Sequence, residues 1–397
     1  MAAADGVTRA AVPPPAPPPR ATPSPPATPS RDELAARYAA LYETLRRCAG
    51  PADAAGELPG EVLAALRSSG ILGAAIATEY GGHGGDAVLT NRLVEQVAAA
   101  DPSVAIILFQ HYAVSARISE WGTPGQCARY LPELASGAWI AASAWSESGA
   151  TADKRNLATT AVRADGGWVL DGAKTFTTAA GLAQVYLVLA QSARPTRTAS
   201  AYGSDGQTFY LVEAGNPGLT ADTGTDLVGM RASATGFVEL TACHVADSAV
   251  LGPVGDAVRI IAGVRESGAT LGAVSLGIAE SAYQLALAHA RRRGLAGAQA
   301  VRHRLVDLGA RVAATRALVD SAGRRDTSAP GDTTLHSKLV ASQLSEEVVT
   351  EALRLLGSAG YLRDHALNKL ARDVRAVGLM GPTNDLCREL ASAAWTT

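Results

Sequence analysis

Lysine is nearly missing from this chain. Of its 35 basic residues only Lys154, Lys174, Lys338 and Lys369 are lysine, and the rest are arginine. Together with heavy alanine and glycine usage this reflects a GC-rich coding bias, and it carries no functional weight at this level. Paired cysteines are missing as well. Cys48, Cys127, Cys243 and Cys387 are scattered with no CxxC spacing, which excludes a disulfide scaffold and a cysteine-built zinc site. There is no basic surplus: the formal charge is -2, which argues against a nucleic-acid or strongly anionic membrane partner. No stretch supplies the roughly 18 uncharged apolar residues of a membrane span, and the N-terminus lacks the apolar run of a secretory signal. A cytoplasmic protein is expected. No glycine-rich fingerprint follows a strand, so a dinucleotide would not bind in Rossmann fashion. No Gly-x-Ser-x-Gly elbow follows a strand either. The histidines do not cluster with acids at ligand spacing, so no metal is expected. His111 reads as a packed helical residue.

What is present divides the chain into segments. Its 397 residues, 47% hydrophobic, are enough for sizeable cores. Ten of the 20 prolines lie between Pro13 and Pro29, so residues 1–30 read as an extended, disordered tail. Proline also disfavours the amphipathic helix of a transit peptide. Ser30-Arg31-Asp32-Glu33 has capping-box spacing, and apolar residues then recur at three and four, as in Leu34, Tyr38, Leu41 and Leu45. A glycine-rich break at 80–85 interrupts this pattern. The period predicts a helical domain over 31–137. Short β-rich segments follow at 159–163, 168–171, 185–191, 207–213 and 236–241, divided by turns such as Asp165-Gly166-Gly167. They predict an antiparallel barrel or sandwich over 138–254, with a polar hairpin loop at 192–206. The helical period returns over 255–397, with runs at 256–293, 299–325, 333–357 and 365–394, which predicts a four-helix bundle. The fold class is therefore α+β multidomain.

Six motifs occur in a meaningful order. Ala77-Thr78-Glu79-Tyr80-Gly81-Gly82 is followed by Trp121-Gly122-Thr123-Pro124-Gly125-Gln126 with Tyr130-Leu131-Pro132. Then come Trp145-Ser146-Glu147-Ser148-Gly149-Ala150-Thr151-Ala152-Asp153, Asp171-Gly172-Ala173-Lys174-Thr175-Phe176-Thr177-Thr178, Gly229-Met230-Arg231-Ala232-Ser233, and Leu356-Gly357-Ser358-Ala359-Gly360-Tyr361. With the three-part order, these resemble the acyl-CoA dehydrogenase superfamily over about 32–394.

The resemblance implies an FAD-dependent oxidoreductase acting on an acyl thioester, on CoA or an acyl-carrier protein, by α,β-dehydrogenation. It places Trp145, Ser146 and Ala152 beside the cofactor, with Ser146 hydrogen-bonding the ring. It places Phe176 at the ring-packing position usually held by Trp, with Thr177 and Thr178 next to it and the Thr178 hydroxyl near N5. Arg293 and Gln299 fall where a neighbouring subunit helps hold the pyrophosphate, although the family's Phe-Gly between them is lost. Arg354 stands where glutamine is usual, beside the Gly357-Ser358 turn. Thr383 and Asp385 fall in a segment that touches flavin or adenosine. The resemblance further implies a homodimer or homotetramer, and an electron-transfer flavoprotein or a flavin reductase as redox partner.

One position departs from the pattern. Removing an α-proton while hydride leaves the β-carbon calls for a carboxylate beside the α-carbon. By resemblance that base follows Arg372-Asp373-Val374-Arg375, and Gly381 occupies its place. Some members carry the glutamate on an earlier helix, where this chain has Ser267 and Gly268. Glu266 is one residue off, about 100° around a helix. Three readings stay open: Glu266 turns into the site as the base, the flavin serves amine-type monooxygenation instead, or the chain is a non-catalytic partner subunit.

Overall fold

A computed structural model describes residues 28–149, 152, 154–195 and 202–395. The proline-rich tail expected over 1–30 lies outside the described residues except for its last three. Six helices come first: α1 (Arg31–Arg37), α2 (Ala39–Ala55), α3 (Gly60–Ser68), α4 (Ala87–Ala100), α5 (Pro102–Trp121) and α6 (Pro124–Ser136). The capping box forms as read, with Ser30 Oγ accepting from the Glu33 amide and the Glu33 carboxylate accepting from the Ser30 amide. Thr123 and Gln126 build a second box at α6, and Asp101 with Pro102 starts α5.

Among the described residues the middle of the chain folds into eight strands: β1 (Ala141–Ala144), β2 (Thr160–Ala164), β3 (Gly167–Thr177), β4 (Val185–Gln191), β5 (Gln207–Glu213), β6 (Leu219–Asp222), β7 (Gly236–Ala246) and β8 (Val250–Leu251). Their order is β6-β7-β3-β2-β4-β5-β8, with β1 against β4. Pairing is mainly antiparallel, as expected, but β1 runs parallel to β4. Strands β4 and β5 are buried on both faces, which explains their continuous apolar sequence. The β3–β7 register slips between Lys174 and Thr177. Phe176 sits in that slip at a φ of 52°. A bulge of this kind re-aims a side chain, and here it turns Phe176 outward.

The last part holds α7 (Ala257–Glu266), α8 (Gly272–Arg292), α9 (Gln299–Arg324), α10 (Pro330–Leu356), α11 (Ala366–Leu379) and α12 (Asn384–Ser392). Two of the four expected runs are therefore divided. The first breaks at Gly268, whose φ of 79° is left-handed. The last breaks around Pro382, which cannot continue a helix. Helix α8 crosses α4 so closely that a Cβ on Gly277 would lie 2.2 Å from the Glu95 carbonyl oxygen.

Charged side chains join the parts where apolar packing meets. Arg31 of α1 binds Glu95 at 2.7 Å and Asp320 at 2.8 Å, and Arg316 reaches Glu95 at 3.1 Å. Deeper inside, the Lys369 ammonium donates to Asp101 at 2.9 Å and to Asp373 at 2.7 Å. Asp373 also accepts the Met230 amide from the sheet domain. Burial by itself would lower the Lys369 pKa, yet the two carboxylates hold it above the usual lysine range. Replacing Lys369 with methionine strands two carboxylates in the interior. Urea unfolding should then show a loss of about 3–5 kcal/mol; a change below about 1 kcal/mol would deny this triad its structural role.

Candidate functional site

Two of the motifs meet directly. The Thr175 amide donates to the Ser146 carbonyl at 2.8 Å. Behind this contact the Lys174 ammonium donates to Glu147, with both side chains almost fully buried. Glu147 also accepts the amides of Ala158 and Thr159. Burial lowers the Lys174 pKa to about 8 despite Glu147, whose own pKa is depressed by Lys174 and by these amides against the cost of its burial. The pair fixes the Trp145–Ser146 loop to the end of β3.

The junction gathers several of the residues that the resemblance placed beside the cofactor. Ser146 Oγ accepts from Lys154 Nζ at 2.9 Å. Thr178 Oγ1 accepts from Thr235 at 3.2 Å, and Thr235 pairs with Ser233 at 2.8 Å, so the Gly229–Ser233 motif joins the same cluster. Phe176 is 69% exposed, an aromatic face held outward on a left-handed backbone. Such strain and exposure at one residue fit a ring that covers a flat ligand. Thr177 differs from the expectation, because it alternates inward and is fully buried. Its side chain therefore faces the protein interior. Ala152 is exposed in a turn.

The remaining cofactor candidates are spread over the helical end. Arg293 and Gln299 are exposed on either side of the turn between α8 and α9. Arg354 pairs with Glu351, while Gly357 and Ser358 are exposed just beyond α10. Thr383 caps α12 by accepting from the Leu386 amide, and Asp385 pairs with Arg388 at 2.6 Å. Among the described contacts of a single chain, none of these residues is joined to the Ser146–Thr178 cluster.

A cavity of about 310 Å³ lies beside α7 and α10. Val258, Ile261 and Leu335 give it apolar walls, Tyr202 and Gly381–Pro382 line it, and Arg265, Asp332 and Lys338 are its charged members. Tyr202 and Trp145 both pack, at their own places, against one large apolar cluster under the sheet. Lys338 donates to the carbonyls of Pro382 at 2.7 Å and Met380 at 3.3 Å, and to Asn384 at 3.0 Å. Burial lowers its pKa to about 8. Glu266 does not line this cavity. Its side chain is 48% exposed, 3.5 Å from Arg265, and its carboxylate rests on Gly331, at a spacing that leaves no room for a Cβ there. Motif reading missed Tyr202, Lys154 and Lys338. Only the scarcity of lysine marks the last two in the sequence.

His111 is fully buried, with Nε2 3.2 Å from the Leu72 carbonyl and Nδ1 accepting the Ala141 amide at 3.4 Å. Both partners suit a neutral ring protonated on Nε2. Burial pushes its pKa down to about 4.

A helical domain, a β-domain and a helical bundle around a flavin-type junction define a class of flavoprotein oxidoreductase. Sequence families agree throughout: the N-terminal, middle and C-terminal domains of acyl-CoA dehydrogenase match residues 32–138, 142–243 and 259–395. The chain belongs to the acyl-CoA dehydrogenase superfamily, and its cofactor is FAD. It is 31% identical over 382 residues to the probable acyl-CoA dehydrogenase FadE25 of Mycobacterium tuberculosis, covering 91% of this chain and 94% of that one. It is 29% identical over 358 residues to the cyclohexane-1-carbonyl-CoA dehydrogenase of Geobacter metallireducens, covering 88% and 92%. The solved butyryl-CoA dehydrogenase of Megasphaera elsdenii superposes with a TM-score of 0.84 at 27% identity, over 92% of this chain and 98% of that one.

Two predictions follow from this geometry. Phe176→Ala should leave the stability of the apoprotein within about 0.5 kcal/mol, since the ring is exposed. The same change should weaken FAD about 3- to 10-fold in a fluorescence titration, and unchanged affinity would remove Phe176 from the site. For His111, the folded state keeps the ring neutral while the unfolded chain protonates it near pH 6.5. Stability conferred by the neutral ring is complete above that pH and declines as pH falls toward 4, by about 3 kcal/mol in all. Urea melts over this window should show a shallower pH dependence in His111→Asn.

Proposed function

We propose that this flavoprotein oxidises an acyl thioester, carried on CoA or an acyl-carrier protein, by α,β-dehydrogenation. The observation that carries the reading is the cavity itself, with apolar walls along α7 and α10 and Gly381–Pro382 in its lining. It suits an acyl chain whose thioester end reaches the flavin. The relatives named for acyl-CoA substrates support the same class. When bound, FAD supplies the hydride acceptor. Ser146 and Thr178 offer hydrogen bonds at the ring edge, and Phe176 covers a face. Arg293 and Gln299, exposed in one chain, suit a contribution to the site of a second copy. An electron-transfer flavoprotein is the fitting acceptor.

The proton acceptor separates this reading from its rival. Asp332 is the carboxylate that lines the cavity, and it lies six residues before Lys338, about 9 Å along α10. Glu266 sits at that same distant end, against Gly331. Among the described residues no carboxylate comes within 4 Å of a Cβ built on Gly381, and this favours flavin-dependent monooxygenation, served by a flavin reductase, as the second reading. The purified protein decides between them. Yellow protein bleached by an acyl-CoA without oxygen supports dehydrogenation; colourless protein that takes up reduced flavin and consumes oxygen supports the rival. In the first case Glu266→Gln should keep the bleaching rate within about twofold, whereas a loss of about 100-fold or more would restore Glu266 as the base.

A further inference from the structure

Glycine at position 381 is not required by the backbone. Its φ is outside the left-handed region. Among the described residues a Cβ there would meet only the Tyr202 hydroxyl, at 3.4 Å, which is an ordinary contact. The fold would accept a side chain at this point, and the chain supplies none. What remains is a space in the cavity wall that opens onto a phenol. The wall around it is fixed, because Lys338 donates to the carbonyls on both sides of Gly381 and to the side-chain oxygen of Asn384. Position 381 is where the family's base would face the α-carbon, so an α-substituent of the substrate would enter this space.

We propose that Tyr202 and the vacant position at Gly381 form a specificity niche for an oxygen-bearing substituent, hydroxyl or carboxylate, on the α-carbon of the acyl group. The inference rests on the acyl-thioester reading above. A phenol both donates and accepts, so it can pair with either oxygen type. With no glutamate at 381, an anionic substituent meets no like charge there, and the nearby Lys338 ammonium adds attraction. An unsubstituted acyl group leaves the phenol's new contact unmade. Sites that are built to hydrogen-bond a substrate oxygen discriminate against analogues lacking it.

Calorimetric titration of the FAD-loaded protein tests this. The probes are non-oxidisable thioether analogues of three matched acyl-CoAs: butyryl, 2-hydroxybutyryl and 2-carboxybutyryl. The expected result is that at least one substituted analogue binds about tenfold tighter than the unsubstituted one. Tyr202→Phe should bring that ratio to about one by removing the hydroxyl. Gly381→Ala should do the same by filling the space, so the two variants act by different physical routes. A preference for the carboxylate that weakens with salt assigns the niche to an anionic group, and a salt-independent preference for the hydroxyl assigns it to a neutral one. Equal affinity for all three analogues in the unaltered protein, or a preference that survives Tyr202→Phe, overturns the niche and leaves the acyl-thioester site standing. Failure of all three to bind overturns both.

Discussion

The arrangement of the molecule depends on one buried ammonium. Lys369 lies between Asp101 at the start of α5 and Asp373 one turn along α11, and Asp373 takes the Met230 amide from the sheet domain. Each group alone would be expensive to bury, and together they satisfy one another. Arg372 reinforces the corner by binding Asp53 and the Val228 carbonyl, while Arg231 donates to the Asp53 carbonyl. Helical domain, sheet domain and bundle are therefore tied together at this corner. Because α11 runs from this corner to Leu379, the corner also determines where Gly381 falls.

The Ser146–Thr178 junction is built on the same principle at smaller scale. Glu147 and Lys174 are buried behind the Ser146 loop, and the register slip in β3 lies two residues beyond Lys174. The ion pair holds two chain segments together while the slip exposes Phe176. A regular strand would alternate its side chains without supplying an outward aromatic at this point. Here the conformational strain at one residue is offset by the pairing beside it.

How far the sequence showed this follows from the range of each interaction. Capping boxes at Ser30 and Thr123 involve residues three apart, so they could be read directly. So could the motifs that announce the family. The division of the first bundle run at Gly268 was less visible, since a single glycine in an apolar helical pattern leaves the period intact. The parallel β1, four small residues long, carried no strand signature at all. Glu147 and Lys174 stood inside two recognised motifs, but nothing in either motif showed that they pair. Lys369 and Asp101 are 268 positions apart, and Tyr202 belongs to no motif, so both required coordinates. Glu266 shows the limit from the other side. It stands one residue off the position that the resemblance implies for a base, and only coordinates show that its carboxylate lies against Gly331.

The scarcity of lysine has a structural meaning after all. All four lysines are buried, with exposures of 7% for Lys154, 0% for Lys174, 4% for Lys338 and 8% for Lys369. Lysine is among the residues least often buried without a partner, and each of these has one. Lys154 serves the Ser146 hydroxyl, Lys174 anchors the loop beneath it, Lys338 holds the segment around Gly381, and Lys369 locks the domain corner. Coding bias can exchange lysine for arginine on a solvated surface at little cost, because both keep the charge. The exchange is less free in the interior, because a compact ammonium and a planar guanidinium aim their donors differently, and Lys338, for one, reaches three separate acceptors. The lysines that remain thus all stand at interior positions where the ammonium is paired. Three of the four support the flavin junction or the Gly381 wall, and the fourth determines how those two come together.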